Sequence, residues 1–233
     1  MKSNFQTLPI AARILILMIA LSGATAAAFS VNLQPAWDLA RLTFFVVLAV
    51  ATARAKVKLS GTSSLSLLTA TVLLSLMVGG PAVAVVSAVC GVVTQTLLPN
   101  KKIVLHQLVF NIGMIALAAT LAGWAYQVTN SANGGSFSSR FLGSLAAAFV
   151  YFLGNSVLVS MIVAFTKGGS IARIWTEHFA PAAPSFLIAG MVSLVALELL
   201  PYHTMMLVSL AIIAPVYYSS IRLASYSSVA AKV

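Results

Sequence analysis

The sequence predicts an all-α, polytopic integral membrane bundle of about eight transmembrane helices with the N and C termini cytoplasmic. Three observations carry that reading. Of 233 residues, 61% are apolar and 7% are charged, with a mean hydropathy of +1.04, whereas a soluble domain carries about 25% charged residues. The apolar residues gather into runs, many of them long enough to span a hydrocarbon layer of about 30 Å. The thirteen Lys and Arg residues fall eleven to two on opposite sides of one threading through a bilayer, the bias that orients short-looped membrane proteins.

The first run, 10–29, follows Lys2 and resembles a signal peptide in position, but its length and the runs behind it make it a retained span. Asn32, Gln34 and Pro35 break it. A second span, 37–53, stops at the basic cluster Arg54, Lys56 and Lys58. Thr62, Ser63 or Ser64 then supplies a cap for a helix over 65–78. Gly79, Gly80 and Pro81 make the tightest turn, with Pro81 pre-set for the first turn of a span over 81–98. Spans three and four thus form a helical hairpin, and at about 1.5 Å per residue each is short for a full crossing.

Pro99, Asn100, Lys101 and Lys102 lead into a fifth span, 103–126. Residues 127–140, rich in Asn, Ser and Gly, form the longest polar loop. A sixth span, 141–165, ends at Lys167, Gly168 and Gly169. In 170–184, Ile171, Ile174, Trp175 and Phe179 interleave with Arg173, Glu177 and His178, the pattern of a short amphipathic helix on the membrane surface. Span seven covers 185–200, Pro201, Tyr202 and His203 turn the chain, and span eight covers 204–218. Lys2, Arg13, Arg54, Lys56, Lys58, Lys101, Lys102, Lys167, Arg173, Arg222 and Lys232 then lie inside, and Arg41 and Arg140 outside. Six spans plus a re-entrant hairpin preserve the same asymmetry. The whole of 1–233 reads as one membrane domain.

This placement accounts for the net charge of +10, so nucleic acid is not a partner; the lipid bilayer of the bacterial inner membrane is. Cys90 is the only cysteine, which excludes an internal disulfide and thiol metal clusters. Asp38, Glu177 and Glu198 are too scattered for a paired acid and base, and His106, His178 and His203 lack metal-ligand spacing. No enzyme activity, cofactor or metal is expected.

Small residues repeat at four-residue spacing in Gly23 and Ala27, Ala84 and Ala88, Ala119 and Gly123, and Gly143 and Ala147. Such stripes pack helices closely within a chain, and also suit a homodimer or a partner membrane protein. Polar side chains inside apolar runs need a partner or a wet cavity. Asn111 and Asn155 fall at similar depth in the inner half of the membrane, as a hydrogen-bonded pair worth about 0.6–2 kcal/mol or as contacts to a small-molecule ligand. His106 and Gln107 are placed at the interface beside Lys101 and Lys102. At the outer face, Trp37, Asp38 and Arg41 open span two, and Glu198, Tyr202 and His203 close span seven. Asp38 and Arg41, three apart, share a helical face. Glu198 needs a proton or a cation, which Arg41 or His203 could supply. This cluster is a structural pairing or an outward-facing ligand site.

The order of a basic cluster and Ser-rich apolar lead-in (Lys56 to Leu68), Val78-Gly79-Gly80-Pro81-Ala82, Phe110-Asn111, Tyr151-Phe152-Leu153-Gly154-Asn155 and the Ser170 to Trp175 connector resembles a known arrangement. It is similar to the multi-span N-terminal sensory region found before HD-GYP or GGDEF domains in bacterial cyclic-di-GMP signalling proteins. The resemblance covers about residues 50–220 and implies a sensor that signals to a cytoplasmic output domain. No catalytic motif stands between Arg222 and Val233, so that output is expected outside this chain, or in a partner. The layout of short spans about a Gly-Pro turn also resembles substrate-binding components of energy-coupling-factor vitamin transporters. That likeness implies a captured small molecule and a docking face on Ala20 to Ala28.

Overall fold

A computed structural model describes residues 5–60, 63–97, 103–132 and 136–199. The expected span 204–218, with Tyr202 and His203, lies outside them. Helix α1 (Ile10–Asn32) starts behind Pro9. Helix α2 (Leu39–Thr52) starts two residues later than expected because Asp38 caps it, its carboxylate accepting the Arg41 N–H at 3.0 Å.

The next stretch corrects the sequence reading. Ser63 and Ser64 do not cap a helix; β1 (Lys56–Ser60) pairs antiparallel with β2 (Ser63–Ser66), Lys56 opposite Ser66 and Lys58 opposite Ser64. The sequence here alternates Lys-Val-Lys-Leu and then Ser-Ser-Leu-Ser, a two-residue period that suits a strand and not a helix.

Helix α3 (Leu67–Leu97) breaks at Gly80, whose φ of 83° and ψ of 179° are accessible to glycine almost alone. Were it straight, Leu68 and Gly91 would stand about 34 Å apart. Instead a Cβ on Gly91 would strike the Leu68 side chain, so the arms 67–79 and 81–97 run antiparallel as the expected hairpin. Pro81 has no N–H to return to the preceding turn. Close by, the Val78 carbonyl accepts from Arg41 Nη1 at 3.0 Å.

Helix α4 (Leu105–Ala132) packs on α1, α3 and α5 (Phe137–Lys167). Ser136 caps α5 and Gly168, at φ 80°, ends it. The connector comprises α6 (Ile171–Ile174), a π turn Trp175–Phe179 and a 3-10 turn Ala180–Ala182, leading into α7 (Ala183–Leu199). Its Ile171, Ile174, Trp175 and Phe179 are half-buried while Arg173, Glu177 and His178 are exposed, the amphipathic division expected. Trp175 Nε1 donates to Ser156 Oγ at 2.9 Å.

Among the described residues, five helical stretches are long and apolar enough to cross a membrane; α2 is a shorter apolar helix. On α1, Ile10, Leu17 and Leu21 are 60–71% exposed, a face that lipid would solvate. The other face meets α4 through backbone: a Cβ on Gly113 would come 2.6 Å from the Ile19 carbonyl oxygen, and Gly23 lies directly against Gly113. Gly154 meets Ala118, Gly143 meets Tyr126, and Gly190 meets Ala148. These small residues pack helices of the same chain, which is how membrane helices associate without water to expel. Buried hydroxyls join the helices as well, Ser30 with Thr120 and Thr52 with Thr71, each at 3.1 Å, and Ser144 with the Gly190 carbonyl at 2.8 Å.

The two ends of the bundle differ in charge. One holds Arg13, Arg54, Lys56, Lys58, Lys167 and Arg173, and also the Phe5 ring on the His106 ring, 6.0 Å between centroids. The opposite end holds Arg41 and Arg140.

Candidate functional site

Two places carry the polar residues that the sequence singles out. The first is a cavity of about 490 Å³ toward the basic end. Both arms of the α3 hairpin contribute to it, Leu68 and Thr69 from one, Val92, Gln95 and Thr96 from the other, with Ser66 beside them. Helix α4 adds Asn111, Met114 and Ile115, α5 adds Tyr151, Asn155 and Val159, and α7 adds Phe186. The hairpin makes this possible, because folding back at Gly80 brings the beginning and the end of α3 to one level.

Asn111 and Asn155 thus line one cavity. Among the described residues no hydrogen bond joins them, so the expected pair is not what holds them. Helices α4 and α5 come close where Gly154 meets Ala118, about two turns along α4 from Asn111. The two carboxamides line a space.

Sequence reasoning missed Tyr151 and Thr69, which are 2% and 7% exposed and also line the cavity. Neither hydroxyl has a hydrogen-bond partner among the described residues. Tyr151 precedes Asn155 by four and so shares its helical face, a signal present within Tyr151-Phe152-Leu153-Gly154-Asn155. Thr96 Oγ1 is already committed to the Val92 carbonyl at 2.8 Å, leaving it only as an acceptor. The site also has an aromatic floor leading outward. The Phe186 ring lies 6.2 Å from Tyr151 and 5.2 Å from Phe152, and Phe152 lies 6.1 Å from Trp175 in the connector.

The second place is the opposite end. Asp38 and Arg41 pair at 3.4 Å, with Trp37 at the exposed start of α2. Glu198 does not take its cation from Arg41; it binds Arg140, Nε to Oε1 and Nη2 to Oε2, the latter at 3.1 Å. Helices α5 and α7 lie side by side, and this sets the pairing. The cluster divides into two separate ion pairs, with Tyr202 and His203 outside the described residues. No group of three or more metal-ligating side chains occurs among the described residues.

A family model described as MASE9 matches residues 14–227. The chain belongs to the MASE9 family, a family of membrane-associated sensors. No curated protein and no solved structure matches it.

Proposed function

We propose that this chain is the membrane-embedded, ligand-binding sensory module of a bacterial signalling protein, set in the inner membrane with its basic end and both termini in the cytoplasm. Adding the arms of α3 and the span expected at 204–218 gives eight crossings. The cavity of Asn111, Asn155 and Tyr151 is the ligand site, and the observation that supports it is that the Tyr151 and Thr69 hydroxyls, on residues that line the cavity of a membrane-sensor chain, have no hydrogen-bond partner among the described residues. Signal passes from Phe186 through Phe152 to Trp175 in the connector, and on to a cytoplasmic output domain or partner of the cyclic-di-GMP class. The chain itself performs no catalysis, needs no cofactor, and leaves its unused small-residue faces to a homodimer or a partner membrane protein.

The test is a fusion of the full chain to a GGDEF reporter domain in cells. Asn155→Phe, which puts a ring into the cavity, should change cyclic-di-GMP output at equal membrane expression. Output unchanged by this obstruction would refute ligand-coupled signalling through this site.

A further inference from the structure

We propose that the cavity receives an uncharged ring dicarbonyl, a molecule of the quinone class. The inference rests on the sensory reading above and names the ligand chemistry of that same site. Every described side chain that lines the cavity is uncharged. A carboxylate or phosphate placed among these described side chains would lose hydration and meet no cation among them, a cost that neutral hydrogen bonds do not return. The lining groups able to donate include the Tyr151 and Thr69 hydroxyls and the three carboxamides of Gln95, Asn111 and Asn155.

These donors stand on three different elements, α3, α4 and α5, so they suit a ligand with acceptors at separate points on its edge. A carbonyl oxygen is the simplest acceptor that needs no donor in return. The apolar part of the lining, with Tyr151 and Phe186 in ring contact and Met114 and Val159 beside them, suits a flat ring with an aliphatic substituent. At about 490 Å³ the space falls within the range of about 300–1,000 Å³ usual for small-molecule sites. Asn111 stands six residues into α4, about 9 Å from its start, a depth that a lipid-soluble ligand can reach.

The protein supplies its own reporter. Trp175 bonds Ser156, the neighbour of Asn155, and packs on Phe152. The experiment uses the full chain in lipid nanodiscs with Trp37→Phe and Trp124→Phe, leaving Trp175 of the three tryptophans, and titrates a short-chain benzoquinone. Quenching should contain a saturable component above the linear background from lipid partitioning. Tyr151→Phe, which keeps the ring, and Asn155→Ser should each weaken that component about 2- to 12-fold, the loss of one hydrogen bond, with helicity unchanged. Benzene-1,4-dicarboxylate of similar size should neither quench nor compete. Linear quenching alone, equal binding of the dicarboxylate, or unchanged affinity in both variants would overturn the proposal. If benzoquinone fails while Asn155→Phe still shifts reporter output, the ligand class falls and the sensory reading stands.

Discussion

Replacing Gly113 by Ala should drive α1 and α4 apart. The new Cβ would lie 2.6 Å from the Ile19 carbonyl oxygen and 2.8 Å from the Ala20 Cα. Both are backbone atoms in a long helix, so no rotamer change relieves the overlap, and the helices must separate by about 1 Å to restore ordinary contact at 3.5–4 Å. Overpacking of this kind costs about 1–3 kcal/mol. Gly23→Ala strains the same seam from the other side, since Gly23 faces Gly113. One separation accommodates both methyl groups, so the double variant should cost less than the sum of the singles by about 1 kcal/mol, within the range for contacting residues. Reversible unfolding in mixed SDS micelles measures all three. A single-variant cost below about 0.5 kcal/mol, or strict additivity, would refute a backbone-to-backbone seam here.

Gly80→Ala should cost about 1–3 kcal/mol, because φ near +83° strains any residue with a Cβ; an unchanged unfolding midpoint would contradict the break. Thr52→Val should cost about 0.6–2 kcal/mol by removing the buried bond to Thr71, measured in the same assay. The Arg140–Glu198 pair is exposed to water, so a double-mutant cycle on it should return only a small coupling that shrinks in high salt. Glu198→Gln should leave the saturable Trp175 quenching intact, because the carboxylate belongs to the opposite end of the bundle.

The elements that could be read from sequence are those set by a local constraint. Gly79-Gly80-Pro81 announces the turn because only glycine takes that φ and proline cannot donate backward. Asn111 and Asn155 stand out because a carboxamide is conspicuous among Leu, Val and Ala. Tyr151 and Thr69 do not, since hydroxyl side chains are common in membrane helices and often bond their own backbone, as Thr94 and Thr129 do. The strand pair 56–66 was hidden by serines that also read as helix caps, although its alternation was present. The partner of Glu198 depends on which helix lies beside α7, and no local pattern in 233 residues states that Arg140, 58 positions away, will be the neighbour.

Arg41 holds the tip of the α3 hairpin by a main-chain oxygen, that of Val78, and this has a consequence for how the protein tolerates change. Every amino acid offers the same carbonyl, so position 78 is free to drift among apolar residues without loosening the clasp. Position 41 has no such freedom: lysine carries one point of contact where guanidinium serves Asp38 and Val78 together. The burden of keeping the hairpin upright therefore rests on the shorter helix, outside the segment it supports.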